Sequence, residues 1–226
     1  MAVPSQIADQ RGEGLTRAER AYRRLREEII TAELAPGTVL REDELMERLE
    51  TGRTPIREAV QQLIRDGFVT VIPRRGTFVS AINLTDLAAI YEVRVHLEGW
   101  QARLAAERLT DAERAAAGAL IEELEALRAE DGNEALLELD RRIHRFVYSC
   151  GRNDYLADTL DQYHNLSLRI IHFAMKRYPA LTPSLDQVVH DQRKLLDAIR
   201  RGDGDEAEQT AREHVLKFEQ AIRGLI

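Results

Sequence analysis

The spacing of apolar positions changes character near residue 80. Ahead of it, short helical stripes give way to two alternating runs; beyond it, every stripe has helical spacing. Over Thr16–Glu33, Tyr22, Leu25, Ile29 and Ile30 recur at three- and four-residue intervals and predict a first helix, closed by the turn at Pro36-Gly37. Residues 42–50 predict a short second helix with Leu45 and Leu49 inward. Residues 54–66 predict a third, with Ile56, Ala59, Val60, Leu63 and Ile64 on one face. Thr54 is its expected cap, and Pro55 its first residue, where a missing N–H costs no intrahelical bond. Gly67–Ile72 and Gly76–Ser80 then alternate like strands around the tight basic turn Pro73-Arg74-Arg75-Gly76. Ala81-Ile82-Asn83 is a short junction with no Gly or Ser run.

From Leu84 onward the periodicity predicts helices over Thr85–Leu109, Thr110–Ala129, Asn133–Cys150, Tyr155–Tyr178, Leu185–Arg201 and Asp205–Gly224. Breaks fall at Gly151–Asp154, in a Pro179–Ser184 loop and at Gly202–Gly204. The expected fold is mainly α. Residues 1–15 read as a disordered leader, and residues 16–80 as a winged helix-turn-helix of three helices plus a β-hairpin wing. Residues 81–226 read as an all-α antiparallel bundle of six or seven helices.

Composition narrows the class. The chain has 226 residues, 44% hydrophobic and 31% charged, and no apolar run near the ~20 residues that span a bilayer. The single cysteine, Cys150, excludes an intrachain disulfide and fits a reducing cytoplasm. The net charge of −7 argues against a uniformly basic nucleic-acid binder. Its distribution changes that picture. Residues 1–80 hold 13 arginines and 13 acids, so the imbalance lies wholly in the remainder, with 19 basic against 26 acidic residues. The front arginines cluster at Arg53, Arg57, Arg74 and Arg75, and phosphate contact needs local clustering more than net charge.

On the third helix Thr54, Arg57 and Gln61 fall opposite the apolar face, with Arg53 at the entrance. These are side chains that reach phosphates and base edges in a major groove, although a solvated basic surface would read the same way. The run from Tyr22 through Ser80 resembles the DNA-binding domain of GntR-family transcriptional regulators. The resemblance is carried by Leu25-Arg26-Glu27-Glu28-Ile29-Ile30, Pro36-Gly37, Leu40, Glu44-Leu45, Arg53-Thr54-Pro55-Ile56-Arg57-Glu58-Ala59, Leu63, Gly67 and Arg75-Gly76-Thr77-Phe78-Val79. It implies that Arg53, Thr54, Arg57, Gln61, Arg74, Arg75 and Gly76 meet double-stranded operator DNA. The chain departs from the family at Gly52, usually Ser or Thr, and at Asp43, where some members carry a DNA-contacting arginine.

In the bundle, polar residues within apolar stripes are the informative ones, since burial without a partner is costly. Leu136, Asp140, Ile143, His144 and Val147 share a face, with Asp140 and His144 one turn apart. Such a pair reads as metal ligands or, more often, as a structural hydrogen bond. His214 lies in the stripe Ala207, Ala211, Phe218, Ala221, Leu225, whereas His190 points away from Val188, Leu195 and Ile199. Arg94 shares a face with Leu87, Ile90, Leu97 and Leu104, which suits either a carboxylate ligand or a structural pair with Glu98. His96, His164 and His172 fit no motif and read as structural or surface residues.

Residues from Leu84 onward resemble the FCD domain of FadR-type members of that family. The marks are Asp86-Leu87, Tyr91-Glu92-Val93-Arg94, Leu97-Glu98, Leu139-Asp140, Ile143-His144, Gly151-Arg152-Asn153, His190, Leu195-Leu196-Asp197-Ala198-Ile199, Gly202-Asp203, Ala207 and His214. The resemblance implies a divalent metal, Zn, Ni, Mn or Fe with Zn or Ni favoured, on Asp140, His144, His190 and His214. It also implies that Arg94 faces an effector beside that metal. The expected function is a ligand-responsive homodimeric regulator, a cytoplasmic repressor released by a small organic or sugar acid. The alternatives are a regulator whose signal is the metal itself, and a helical metalloenzyme; the latter leaves the arginine clusters unexplained and has no general base placed near the ligands.

Overall fold

In the computed structural model, residues 14–177 and 185–223 are described, apart from the side chains of residues 84–86 and 221–223. The expected leader up to residue 13, the Pro179–Ser184 loop, the capping role of Thr85 and the Ala221 and Leu225 positions lie outside what is described. The chain forms two compact units, Met1–Ile82 and Asn83–Ile226.

The first unit holds α1 (Arg17–Ile30), α2 (Glu42–Arg48), α3 (Arg53–Arg65), β1 (Val69–Ile72) and β2 (Gly76–Val79). Thr16 starts α1 through a reciprocal capping box with Glu19, satisfying two end donors. Leu25, Ile29 and Ile30 of α1 pack with Leu45, Ile56, Ala59, Leu63, Phe68 and Val79 into the core. Tyr22 sits at its edge, its hydroxyl donating to Asp66 at 2.6 Å. The buried Glu28 is held between Arg24 at 2.9 Å and Arg48 at 2.8 Å. The third helix begins earlier than its sequence predicts. Gly52 is the N-cap, and its carbonyl accepts from Ile56 N–H at 3.3 Å, so Thr54 does not cap. Pro55 then falls third in the helix, where an N–H would still lack an intrahelical acceptor. β1 and β2 pair antiparallel, Val69 opposite Val79 and Ile72 opposite Gly76. Residues 37–40 dress one edge through Gly37 N–H to Val79 O and Leu40 N–H to Thr77 O, both 2.9 Å.

The second unit holds α4 (Leu84–Arg108), α5 (Asp111–Ala126), a 3-10 turn (Ala129–Asp131), α6 (Gly132–Cys150), α7 (Asp154–Arg177), α8 (Leu185–Arg201) and α9 (Gly204–Arg223). A second capping box, Thr110 with Glu113, starts α5. Helix α4 is the hub, packing along α9, α7, α6 and α8. Its buried residues accordingly run around more than one side, from Leu87 and Tyr91 to Ala102, Leu104 and Ala105. Close approach is bought with small residues. At Gly151 a methyl would overlap the Gln101 carboxamide, itself fully buried and donating to Tyr148 O at 2.6 Å. The main core joins Leu120, Ile121 and Leu124 of α5 to Leu139, Ile143 and Val147 of α6, Leu196 and Ile199 of α8, and Ala207 and Ala211 of α9. Cys150 is buried there as a free thiol whose pKa burial pushes up to about 12. No helix among the described residues is long and apolar enough to cross a membrane.

Candidate functional sites

The two units carry different chemistry. In the first, the buried side of α3 is Ile56, Ala59 and Leu63, which leaves Arg53, Thr54, Arg57 and Gln61 exposed on the other side. Arg74, Arg75 and Gly76 are exposed in the hairpin turn. Arg74 there has a positive φ of 64° and Gly76 one of 118°, which the absent side chain of Gly76 accommodates. Glu42, at the start of α2, was given no role by sequence reasoning. Its two oxygens accept from Arg57 Nε at 2.8 and 3.0 Å, and Arg53 Nε is 3.9 Å away. The Arg57 hydrogen bond holds the Glu42 carboxyl below its ordinary pKa. Both hydrogen bonds are made through Arg57 Nε.

In the second unit, α4, α6, α7, α8 and α9 each send polar side chains to one buried cluster. Asp140 and His144 from α6 and His214 from α9 are each no more than 5% exposed. His144 Nε2 lies 3.8 Å from Asp140 Oδ2, and His214 Nε2 lies 3.7 Å from Asp140 Oδ1. The ligand atoms of these three residues all fall within 4.8 Å of one another. His190, expected in this set, is exposed on α8 and does not join it among the described residues. Gln192, two residues on, is fully buried in its place, its Nε2 donating to Asp140 Oδ1 at 2.5 Å and lying 3.3 Å from His214 Nε2.

Arg94 is buried and paired. Its Nε and Nη2 donate to Glu98 Oε1 at 3.1 and 2.7 Å, and Nη2 lies 3.1 Å from His164 Nδ1. Glu98 also accepts from the Tyr148 hydroxyl at 2.6 Å, and its second oxygen faces His144 Nδ1 at 3.4 Å. His164 is therefore no isolated structural residue: it is 3% exposed, and its ring centroid is 4.2 Å from that of His144. The signal was present in the sequence, since His164 falls in the stripe Leu160, Leu168, Ile171, as Gln192 does between Val188 and Leu195. Asn165 is fully buried, its amide donating back to Asp161, and neither it nor Arg169 lines the cavity at the cluster.

Electrostatics divide the three imidazoles. Burial lowers the pKa of His214 to about 4 and that of His164 well below its usual value. Burial pulls His144 down too, but Glu98 and Asp140 outweigh it and leave its pKa raised. Glu98 is pushed up by burial and pulled further down by His144 and Arg94, so it stays ionised.

These residues fit a divalent cation. Neutral imidazole and ionised carboxylate are the required ligand forms, and donor atoms around a four-coordinate ion at ~2.1 Å sit about 3.4 Å apart, a few tenths closer than the two imidazole–carboxylate distances of 3.8 and 3.7 Å. Glu98, 3.4 Å from His144 Nδ1, would serve as the outer carboxylate that directs the other nitrogen to a metal. His214 Nδ1 and His164 Nε2 are buried with no hydrogen-bond partner. The cavity among Arg94, Asp140, His144, His164, His214 and Phe218 has about 10 Å³ of room, that of one water or ion.

Comparison with known proteins decides the family. Residues 17–79 match the bacterial regulatory proteins of the gntR family, and residues 89–217 match the FCD domain. The chain belongs to the GntR family. The HTH-type transcriptional repressor GlaR of Escherichia coli K12 is 30% identical over 213 residues, 90% of this chain and 96% of that one. The repressor RspR of the same strain is 25% identical over 91% of this chain and 88% of its own. The fold is also that of E. coli McbR/YncC, with TM-score 0.78 at 24% identity over 93% of this chain and 97% of that one. A regulator GntR structure from Rhodococcus sp. RHA1 gives 0.71, at 24% identity over 93% of this chain and 99% of that one. This GntR-family protein is thus a DNA-binding transcriptional regulator with an FCD domain, and the families and relatives it matches are transcriptional regulators rather than enzymes.

Proposed function

We propose that this regulator represses transcription as a cytoplasmic homodimer and is released by a small organic or sugar acid bound beside a divalent metal. Operator contact falls to Arg53, Thr54, Arg57, Gln61, Arg74, Arg75 and Gly76, all exposed. The metal falls to Asp140, His144 and His214, and the acid's carboxylate to Arg94. The observation that carries this reading is the buried cluster itself, which gathers two imidazoles on one carboxylate with an arginine lining the same cavity. A cavity of about 10 Å³ does not hold an organic acid as it stands. Acid binding therefore requires the lining helices to separate, and that differential fit is what couples ligand to DNA affinity. The same small volume favours a second reading, in which the metal alone is the signal.

Thermal-shift measurements on metal-loaded and chelated protein, with and without a panel of carboxylates and sugar acids, separate these. An acid that stabilises only the loaded protein supports the shared site. Release of operator DNA by chelation alone, with no acid effective, supports the metal sensor. No response to metal or acid refutes both.

A further inference from the structure

We infer that Gln192 completes the metal site through its carboxamide oxygen, giving an oxygen-rich set of Asp140, Gln192, His144 and His214. The inference rests on the metal reading above and deepens it. Gln192 is fully buried and reaches the two acceptors that a metal would take, Asp140 Oδ1 and His214 Nε2. Its NH2 group donates to Asp140 Oδ1 and lies 3.3 Å from His214 Nε2. Its other end, Oε1, is buried with no hydrogen-bond partner. A carboxamide has nearly the same shape with O and N exchanged, so a half-turn of the group swaps a donor for an acceptor within the same space. A cation on Asp140 and His214 engages the lone pairs that the NH2 now uses, and the turned amide presents oxygen to it instead.

The other buried imidazole is not a rival for this place. His164 groups with Glu98 and His144, apart from Asp140 and His214, and its Nδ1 is taken by Arg94. Replacing one imidazole of the sequence-derived set by an amide oxygen weakens the bias toward Zn²⁺ and Ni²⁺ and favours Mn²⁺ or Fe²⁺.

The test is Mn²⁺ binding, followed by counting metal-bound waters from the broadening of the Mn²⁺ resonance in ¹⁷O-enriched water. Gln192→Leu is expected to bind Mn²⁺ at least about tenfold more weakly and to carry one more water than the wild type. Gln192→Glu, which keeps an oxygen there, is expected to retain the wild-type count. Gln192→His exchanges one ligand for another, so its count stays the same while its preference moves to Zn²⁺. Weaker binding by Gln192→Leu at an unchanged water count would place Gln192 outside the coordination sphere and overturn the inference. So would one water fewer in Gln192→His, which decides the matter if the Leu variant does not fold. Failure of the wild type to bind Mn²⁺ or Zn²⁺ overturns the metal reading together with this one.

Discussion

Arg94→Leu separates the structural role of Arg94 from its proposed role toward an acid. Arg94 and Glu98 are each 4% exposed and joined by two hydrogen bonds of 3.1 and 2.7 Å. Removing the guanidinium leaves a buried carboxylate that His144 and Arg94 together had kept ionised. Breaking a buried pair in this way costs about 3–5 kcal/mol. Tyr148 at 2.6 Å and His144 at 3.4 Å still face the carboxylate, which argues for the lower end, about 3 kcal/mol. In a unit of this size that lowers the melting temperature by roughly 10 °C. Arg94→Leu with Glu98→Gln removes both charges while leaving an acceptor for the Tyr148 hydroxyl, and is expected to recover about half of the loss or more. Unfolding followed by circular dichroism in urea gives the free energies for the four proteins. A loss below about 1 kcal/mol in Arg94→Leu, or strict additivity of the two substitutions, would refute the reasoning. The double variant, once shown to fold, is the protein in which loss of acid binding can be assigned to Arg94 itself.

Further outcomes are expected. Arg57→Ala keeps its fold, because the side chain is exposed, and weakens operator binding by about 1–3 kcal/mol in a gel-shift titration; unchanged affinity would remove α3 from the interface. His190→Ala leaves metal affinity unchanged in a chelator competition, since His190 is exposed and away from Asp140. Gly151→Ala destabilises by about 1–3 kcal/mol through the clash with buried Gln101, whereas Gly99→Ala meets the flexible Arg212 side chain at 2.8 Å and costs less in the same melt. In chelated protein, His214 with its pKa lowered to about 4 takes its proton first in the unfolded chain. Its contribution, on the order of 3 kcal/mol as an upper bound, is present above pH ~6.5 and lost as pH falls toward 4. His144, raised by Glu98 and Asp140 against burial, works the other way, its contribution fading as pH rises through its folded value. A His214→Gln variant with the wild-type slope between pH 6.5 and 4 would contradict the first assignment.

What the sequence determined by itself was local. The apolar spacing of α1 and α3, the two Thr–Glu capping boxes and the break at Gly151-Arg152-Asn153 all act within a few residues, and each element formed close to where the pattern placed it. Asp140 with His144, and Arg94 with Glu98, were legible as pairs because one helical turn brings such residues together whatever surrounds them. The helix-start preference of Thr54 was overridden, with Gly52 taking the cap two residues earlier. Tertiary structure alone decided which polar residues meet. Two residues along a helix turn a side chain through about 200°, so the face of α8 that packs on α5, α9 and α4 buries Gln192 and leaves His190 outside. His164 likewise becomes part of the cluster only because α7 lies against α4 and α6. A periodic stripe announces that a face is buried; what it is buried against depends on helices distant in sequence, and nothing in the local spacing encodes them.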